Sequence, residues 1–115
     1  MIDDNPVDRA LMSKILAKHD FNVLLSEDGP NGLKMAQEQT PDLIILDILL
    51  PGISGIELCK KLKNSPMTHD IPVIFYTSTD TPKHLIDYAS CGARDYFQKT
   101  MPQEELIAAV KDILK

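Results

Sequence analysis

The apolar run Leu43–Leu46 constrains the fold of this chain more than any other feature. It lies between Pro41 and Pro51 and consists only of leucine and isoleucine. A short run that is apolar at every position is typical of a strand buried on both faces. The residue that follows the run is an acid, Asp47. A carboxylate at the end of a buried strand lies at the carboxyl edge of a sheet, where open α/β folds bind ligands.

Strand-like and helical segments alternate along the chain. Apolar residues recur at helical spacing after Pro6, which suits the first turn of a helix. Strands are predicted over 21–25, 43–47, 72–77 and 96–97. Helices are predicted over 33–39, 56–62 and 82–90, and a last helix contains Leu106, Ile107, Val110, Ile113 and Leu114. Gly29 and Gly32 predict a turn before the second helix. The repeated pattern predicts an α/β fold with a parallel sheet and helices on both faces, and we expect residues 1–115 to form one domain.

Composition and charge exclude several classes of function. The formal net charge is -5, which argues against a nucleic-acid-binding surface. Cys59 and Cys91 belong to no CxxC motif, and we expect them to be reduced, buried thiols. We expect no signal peptide, and no apolar run in the sequence is long enough to cross a membrane. We therefore expect a cytoplasmic protein in which this segment binds no nucleic acid, and we expect no membrane binding.

Polar residues stand at the ends of the predicted strands. Asp3 and Asp4 precede the first helix, Asp47 and Thr77 end two strands, and Lys99 follows the last strand. Parallel strands bring such residues to one edge of the sheet. Carboxylates gather a hard cation, and Mg²⁺ is expected because water can complete its ligand shell. A carboxylate beside Mg²⁺ can attack a phosphoryl group, whose charge the cation and Lys99 would offset.

The ordered set of these residues resembles the receiver domain of two-component response regulators. The resemblance covers nearly the whole chain and rests on Asp3-Asp4, Asp47 followed by Pro51 and Gly55, Thr77, Gly92-Ala93, Tyr96 and Lys99. It implies a flavodoxin-like, doubly wound sheet of five parallel strands in the order 2-1-3-4-5. It also implies a signalling domain rather than a turnover enzyme.

The resemblance implies a chemical role for each residue of the site. Asp47 would accept a phosphoryl group from a histidine kinase or a phosphotransfer protein. Asp3, Asp4 and Asp47 would hold Mg²⁺ together with the backbone carbonyl of Leu49. Lys99 and Thr77 would contact the bound phosphoryl group.

The resemblance also implies a switch formed by Thr77 and Tyr96. Phosphorylation would draw the hydroxyl inward, and the aromatic ring would follow it. This movement would repack the surface of the fourth helix, the fifth strand and the fifth helix. A downstream protein partner would bind there, and a dimer is possible.

The chain departs from the family pattern at its start. Only Met1 and Ile2 precede Asp3, where family members have a longer apolar strand in the centre of the sheet. The first strand is therefore unusually short or missing, which would leave its neighbours with unpaired edges. Upstream residues could supply it, a shortened strand could suffice, or another chain could donate the pairing. We favour the first explanation.

Two smaller departures concern the site. Thr100 stands where the family usually has proline, often after a cis bond, so we expect a trans bond or a shifted loop beside Lys99. Leu49 and Thr79 occupy positions that tune dephosphorylation in the family. Because Leu49 has no polar side chain to orient water, we expect a moderately long-lived phosphoryl group.

Other interpretations of these residues remain open. A receiver-like interaction module that works without phosphorylation fits the short start and Thr100, but not the complete set of acids, threonine and lysine. A small hydrolase of the haloacid-dehalogenase type would need a second aspartate where the chain has Leu49, so we rank it last. Asp3 or Asp4 could instead cap the first helix, and Lys99 could be a surface lysine.

Overall fold

The computed structural model describes residues 1–78 and 90–115. Within them lie helices α1 (Pro6–Lys18), α2 (Gly29–Gln39), α3 (Gly55–Lys63) and α4 (Gln103–Ile113), and strands β1 (Ile44–Leu46), β2 (Val73–Thr77) and β3 (Asp95–Gln98). The helix predicted over 82–90 falls outside the described residues except for its last position, and Thr79 also falls outside them.

The named strands form a parallel sheet with β2 in the centre. β1 pairs with β2 through Ile45 and Ile74, and β2 pairs with β3 through Phe75 and Tyr96. Every residue of β1 and β2 is buried. The strand predicted from the apolar run is therefore confirmed, including its burial on both faces.

The start of the chain joins this sheet through one residue. Ile2 forms parallel bridges to Ser26 on one side and to Leu46 on the other. Its N–H donates to the Ile45 carbonyl at 2.8 Å, and its carbonyl accepts from the Asp47 N–H at 3.0 Å. The expected short first strand is thus a single bridging residue.

The structure assigns no regular strand to residues 21–25, where the sequence predicts one. These residues form no ladder, and the bridge to the first segment is made by Ser26, just beyond them. A regular strand needs a series of backbone hydrogen bonds to a neighbouring segment. The segment Met1–Asp3 forms a bridge to Ser26 at one position.

Helices cover both faces of the sheet, as the alternating pattern predicts. Residues of α2 and α3 share one buried cluster with alternate strand residues, among them Ala36, Ile56, Leu58, Leu62, Ile44, Leu46 and Phe75. Residues of α1 and α4 share a second cluster on the opposite face, among them Met12, Leu16, Leu106, Val110, Ile45 and Ile74.

Helix α2 begins at Gly29 rather than at the predicted Leu33. The Asp28 side chain caps it by accepting a hydrogen bond from the Asn31 N–H at 2.8 Å, and Pro30 suits the first turn. Gly29 and Gly32 therefore lie inside the helix and do not bracket a turn. Gly32 lies so close to the Ile2 side chain that an added Cβ would overlap it.

Both cysteines are free and buried, as the sequence predicts. Among residues 1–78 and 90–115, no helix combines the length and the apolar character that crossing a membrane requires.

Candidate functional site

An acidic pocket lies at the carboxyl edge of the sheet. Asp3 follows Ile2 and Asp47 follows β1 directly. Carboxylate oxygens of Asp3, Asp4 and Asp47 lie within 4.8 Å of one another. Asp3 is fully buried and Asp47 nearly so, whereas Asp4 is exposed. The structure thus brings together the acids that the sequence singles out.

Backbone hydrogen bonds position the two buried acids. The Asp3 N–H donates to the Ser26 carbonyl at 3.1 Å, and the Asp47 N–H donates to the Ile2 carbonyl at 3.0 Å. The Asp3 carboxylate accepts a bond from the Asn5 N–H at 2.9 Å. The short start of the chain is therefore sufficient to hold Asp3 beside Asp47.

Asn5, and neither Asp3 nor Asp4, caps the first helix. Its side-chain oxygen accepts hydrogen bonds from the N–H groups of Val7 at 2.9 Å and Asp8 at 3.2 Å. The helix-cap interpretation of the two acids is therefore wrong, because the next residue satisfies the donors of the first turn.

Lys99 enters the pocket from the end of β3. Its Nζ lies 2.7 Å from Asp3 Oδ2 and 3.3 Å from Asp47 Oδ2, and its side chain is only 14% exposed. Its N–H donates to the Thr77 carbonyl at 2.8 Å, which ties it to the sheet. The surface-lysine interpretation is therefore wrong.

The peptide bond that follows Lys99 is trans. No cis bond occurs in residues 1–78 and 90–115, so Thr100 brings no cis geometry. The lysine reaches the acids without a proline at the next position.

Asp8 also belongs to the pocket, although no sequence pattern pointed to it. Its Oδ2 lies 2.7 Å from the Lys99 Nζ, and its side chain is 31% exposed. Asp8 stands in the first turn of α1, where an acid is favoured by the helix dipole alone. The sequence therefore carries no separate signal for its contact with Lys99.

The electrostatics of the pocket favour an additional cation. Burial raises the pKa of the Asp3 carboxyl; the hydrogen bond from Lys99 opposes this effect, and the charge of Asp47 adds to it. Burial alone would lower the pKa of Lys99, but its bonds to Asp3 and Asp8 and the charge of Asp47 outweigh burial and raise it. Convergent carboxylate oxygens are the ligands that a small, hard divalent cation prefers, so the donor set fits Mg²⁺.

Gly55 allows the backbone to pass close to the phosphoacceptor candidate. Its N–H donates to the Ile48 carbonyl at 2.7 Å. A Cβ at this position would overlap the backbone carbonyl oxygen of Asp47. Only glycine fits here without displacing the loop that follows β1.

Thr77, Tyr96 and Leu49 are the remaining predicted site residues. Thr77 is fully buried at the end of β2. Tyr96 is half-buried on β3, where it pairs with Phe75, two residues before Thr77. Tyr96 packs against the cluster formed with α2 and α3. Leu49 is 57% exposed, and its backbone nitrogen lies 3.4 Å from Asp47 Oδ1.

Several known proteins are similar to this chain. Protein PilH of Pseudomonas aeruginosa is 32% identical over 114 residues, which cover 99% of this chain and 94% of PilH. The response regulator PleD of Caulobacter vibrioides is 33% identical over 115 residues, all of this chain but 25% of PleD. The chain therefore corresponds to nearly the whole of one relative and to a part of another.

Solved structures and the family model agree with these similarities. The BeF3-activated receiver domain of RstA from Klebsiella pneumoniae superimposes with a TM-score of 0.92 at 32% identity, over 99% of this chain and 95% of that one. The family model of the response regulator receiver domain matches residues 1–111. The chain therefore belongs to the response regulator receiver domain family, whose general role is phosphorylation-controlled signalling in two-component systems.

Proposed function

We propose that this chain is the phosphoacceptor domain of a two-component phosphorelay and that Asp47 is the acceptor. Receiver domains are signalling domains that interact with histidine kinases or with effector domains. The observation that carries the proposal is the convergence of Asp3, Asp4 and the Lys99 ammonium on the Asp47 carboxylate. The chain would take up one phosphoryl group per molecule and would not turn over a substrate.

The acidic pocket would hold Mg²⁺ through the carboxylates of Asp3, Asp4 and Asp47 and the backbone carbonyl of Leu49. The bound ion would supply positive charge for the phosphoryl oxygens. Asp47 would attack the phosphorus of a phosphohistidine, forming a P–O bond while the P–N bond breaks and the imidazole leaves with the electron pair. Lys99, already 3.3 Å from Asp47 Oδ2, would stabilise the phosphoryl oxygens.

Thr77 and Tyr96 would carry the signal from the phosphoryl group to the surface. The Thr77 hydroxyl would donate a hydrogen bond to a phosphoryl oxygen. Thr77 is fully buried at the end of β2 and Tyr96 packs on the neighbouring strand, so we expect the ring to follow a shift of the hydroxyl. The changed surface, formed in part by β3 and α4, would bind a downstream protein, and a dimer could form there.

The proposal extends to the fold and location of the whole chain. We propose one receiver domain over residues 1–115 with five strand segments in the order 2-1-3-4-5. The bridges from Ile2 to Ser26 and Leu46 support a first segment between the second and the third. The free thiols of Cys59 and Cys91 support a cytoplasmic location, and the net charge of -5 supports protein partners over nucleic acid or a membrane.

Intact-mass measurement tests this proposal. The chain is incubated with acetyl phosphate, with and without Mg²⁺, beside Asp47→Asn and the control Asp70→Asn, whose native side chain is 94% exposed. We expect one added phosphoryl group that requires Mg²⁺, disappears in Asp47→Asn and persists in the control. No gain in a chain that circular dichroism shows to be folded would refute it and favour an interaction module that works without phosphorylation. Continuous release of phosphate from phosphomonoesters would instead favour a hydrolase.

A further inference from the structure

Two buried thiols contact each other at a distance from the acidic pocket. Cys59 lies in α3 and is 0% exposed, and Cys91 is 4% exposed and precedes β3, whereas Lys99 of the pocket follows β3. The Cys59 Sγ donates to the Cys91 backbone carbonyl at 3.5 Å, and the two thiols also hydrogen-bond each other. They are 32 positions apart, so the fold brings together the two cysteines of this chain.

The elements that carry the two cysteines are anchored in the core. Cys59 and Cys91 belong to the same buried cluster as Leu62 of α3. The Arg94 N–H donates to the Val73 carbonyl at 2.7 Å, which ties the segment after Cys91 to the central strand β2. The packed helix and the anchored segment therefore hold the thiols in contact.

The surroundings make Cys91 the more reactive of the two thiols. The hydrogen bond from Cys59 lowers the pKa of Cys91, and two backbone N–H groups, those of Cys91 and Ala93, and the charge of Lys60 add to this effect, while burial opposes it. The same thiol contact, together with burial, raises the pKa of Cys59. Because the thiolate is the nucleophile in thiol chemistry, Cys91 is expected to react first.

We propose that Cys59 and Cys91 form an oxidation site that reduces a peroxide and closes to an intramolecular disulfide. The Cys91 thiolate attacks a peroxide oxygen. An S–O bond forms while the O–O bond breaks, and the departing oxygen takes the electron pair and then a proton from water.

Cys59 resolves the resulting sulfenic acid. Its sulfur attacks the Cys91 sulfur, so that an S–S bond forms while the S–O bond breaks, and the Cys59 proton joins the departing hydroxide to give water. The pair of thiols loses two electrons, and the peroxide gains them. A thiol reductant reverses the reaction by exchange. In a reducing compartment such a disulfide is transient, which agrees with the free thiols of this structure.

Mass spectrometry of the native chain tests the proposal without any substitution. The folded chain is treated with hydrogen peroxide, the excess is removed with catalase, and the remaining thiols are blocked with N-ethylmaleimide in urea. We expect the monomer to lose the mass of two hydrogen atoms, to take up no maleimide and to yield a crosslinked peptide pair that contains Cys59 and Cys91. Dithiothreitol should restore both thiols.

Single variants assign the roles of the two thiols. Cys59→Ala should accumulate a sulfenic acid at Cys91 that dimedone traps, and Cys91→Ala should give less adduct at Cys59 by at least about tenfold. Circular dichroism establishes that both variants are folded. Asp47→Asn should form the disulfide like the parent chain, so this result is separate from that of the proposed function.

Each alternative result would overturn the proposal. Sulfinic acid at Cys91 without a disulfide would show that the core keeps the sulfurs apart. Disulfides between chains would show that the contact within one chain does not direct the oxidation. Unreacted thiols in the folded chain, under peroxide that oxidises the urea-unfolded chain, would show that both cysteines serve only packing. Equal adducts in the two variants would contradict the assigned order of reaction.

Discussion

At the scale of single residues, the central feature is one ammonium shared among several carboxylates. The Lys99 Nζ contacts Asp3, Asp8 and Asp47, and Asp3 is fully buried. Removing one partner of a buried ion pair leaves an uncompensated charge, which costs more than the pair contributes. The folded state and the proposed chemistry therefore both depend on Lys99.

We expect Lys99→Met to lower the free energy of unfolding at neutral pH by about 3 kcal/mol, because buried carboxylates lose their counter-charge. Urea unfolding measures this change, with the exposed Lys34→Met as the control. Millimolar Mg²⁺ should restore part of the loss by supplying positive charge to the same acids. An unchanged urea midpoint, with or without Mg²⁺, would contradict the assigned electrostatics.

Asp8 competes with Asp47 for the same ammonium. We expect Asp8→Asn to accelerate labelling of Asp47 by acetyl phosphate several-fold, because Lys99 would be freer to contact the phosphoryl oxygens. The time course of intact mass measures the rate, and the exposed Glu38→Gln serves as the control. A rate equal to that of the control would show that the contact is only structural.

The exposed Leu49 offers no group that could orient an attacking water molecule. We expect Leu49→Asn to shorten the lifetime of the phosphorylated form by roughly tenfold, because an amide can position water beside the acyl phosphate. Loss of phosphoryl mass after removal of acetyl phosphate gives the decay rate. Leu49→Ala should decay like the parent chain, and the hypothesis fails if the asparagine variant does too.

At the scale of elements, local patterns predicted some structures better than others. The buried strand β1 was predictable because its apolar run has one physical explanation, burial on both faces. The start of α2 was not predictable, because two glycines, Gly29 and Gly32, usually indicate a turn. Gly32 instead lies inside the helix, where it packs closely against the Ile2 side chain. Residues 21–25 look like a strand, but pairing depends on a distant segment that their own sequence does not specify.

The first residue of helix α3, Gly55, lies against the backbone of Asp47. We expect Gly55→Ala to lower the free energy of unfolding by about 2 kcal/mol, because the new Cβ would overlap the Asp47 carbonyl oxygen and shift the loop. Urea unfolding measures this, and Glu57→Ala on the exposed side of α3 is the control. A stability equal to that of the control would show that the loop yields without strain.

At the scale of the whole molecule, parallel topology brings distant residues to one edge. The convergence of Asp3, Asp47 and Lys99 was predictable, because each follows a segment of a parallel sheet. The position of Asp8 was not, since it depends on where Asn5 starts α1. The roles of the site residues stay predictions.

Locating the phosphoryl group on the chain tests directly whether Asp47 is the phosphoacceptor. After labelling with acetyl phosphate and Mg²⁺, borohydride reduction converts an aspartyl phosphate to homoserine, and peptide mass spectrometry identifies the altered residue. We expect homoserine at position 47 and at no other aspartate. Phosphate on a histidine or at another aspartate, or an unmodified Asp47 in fully folded protein, would contradict it.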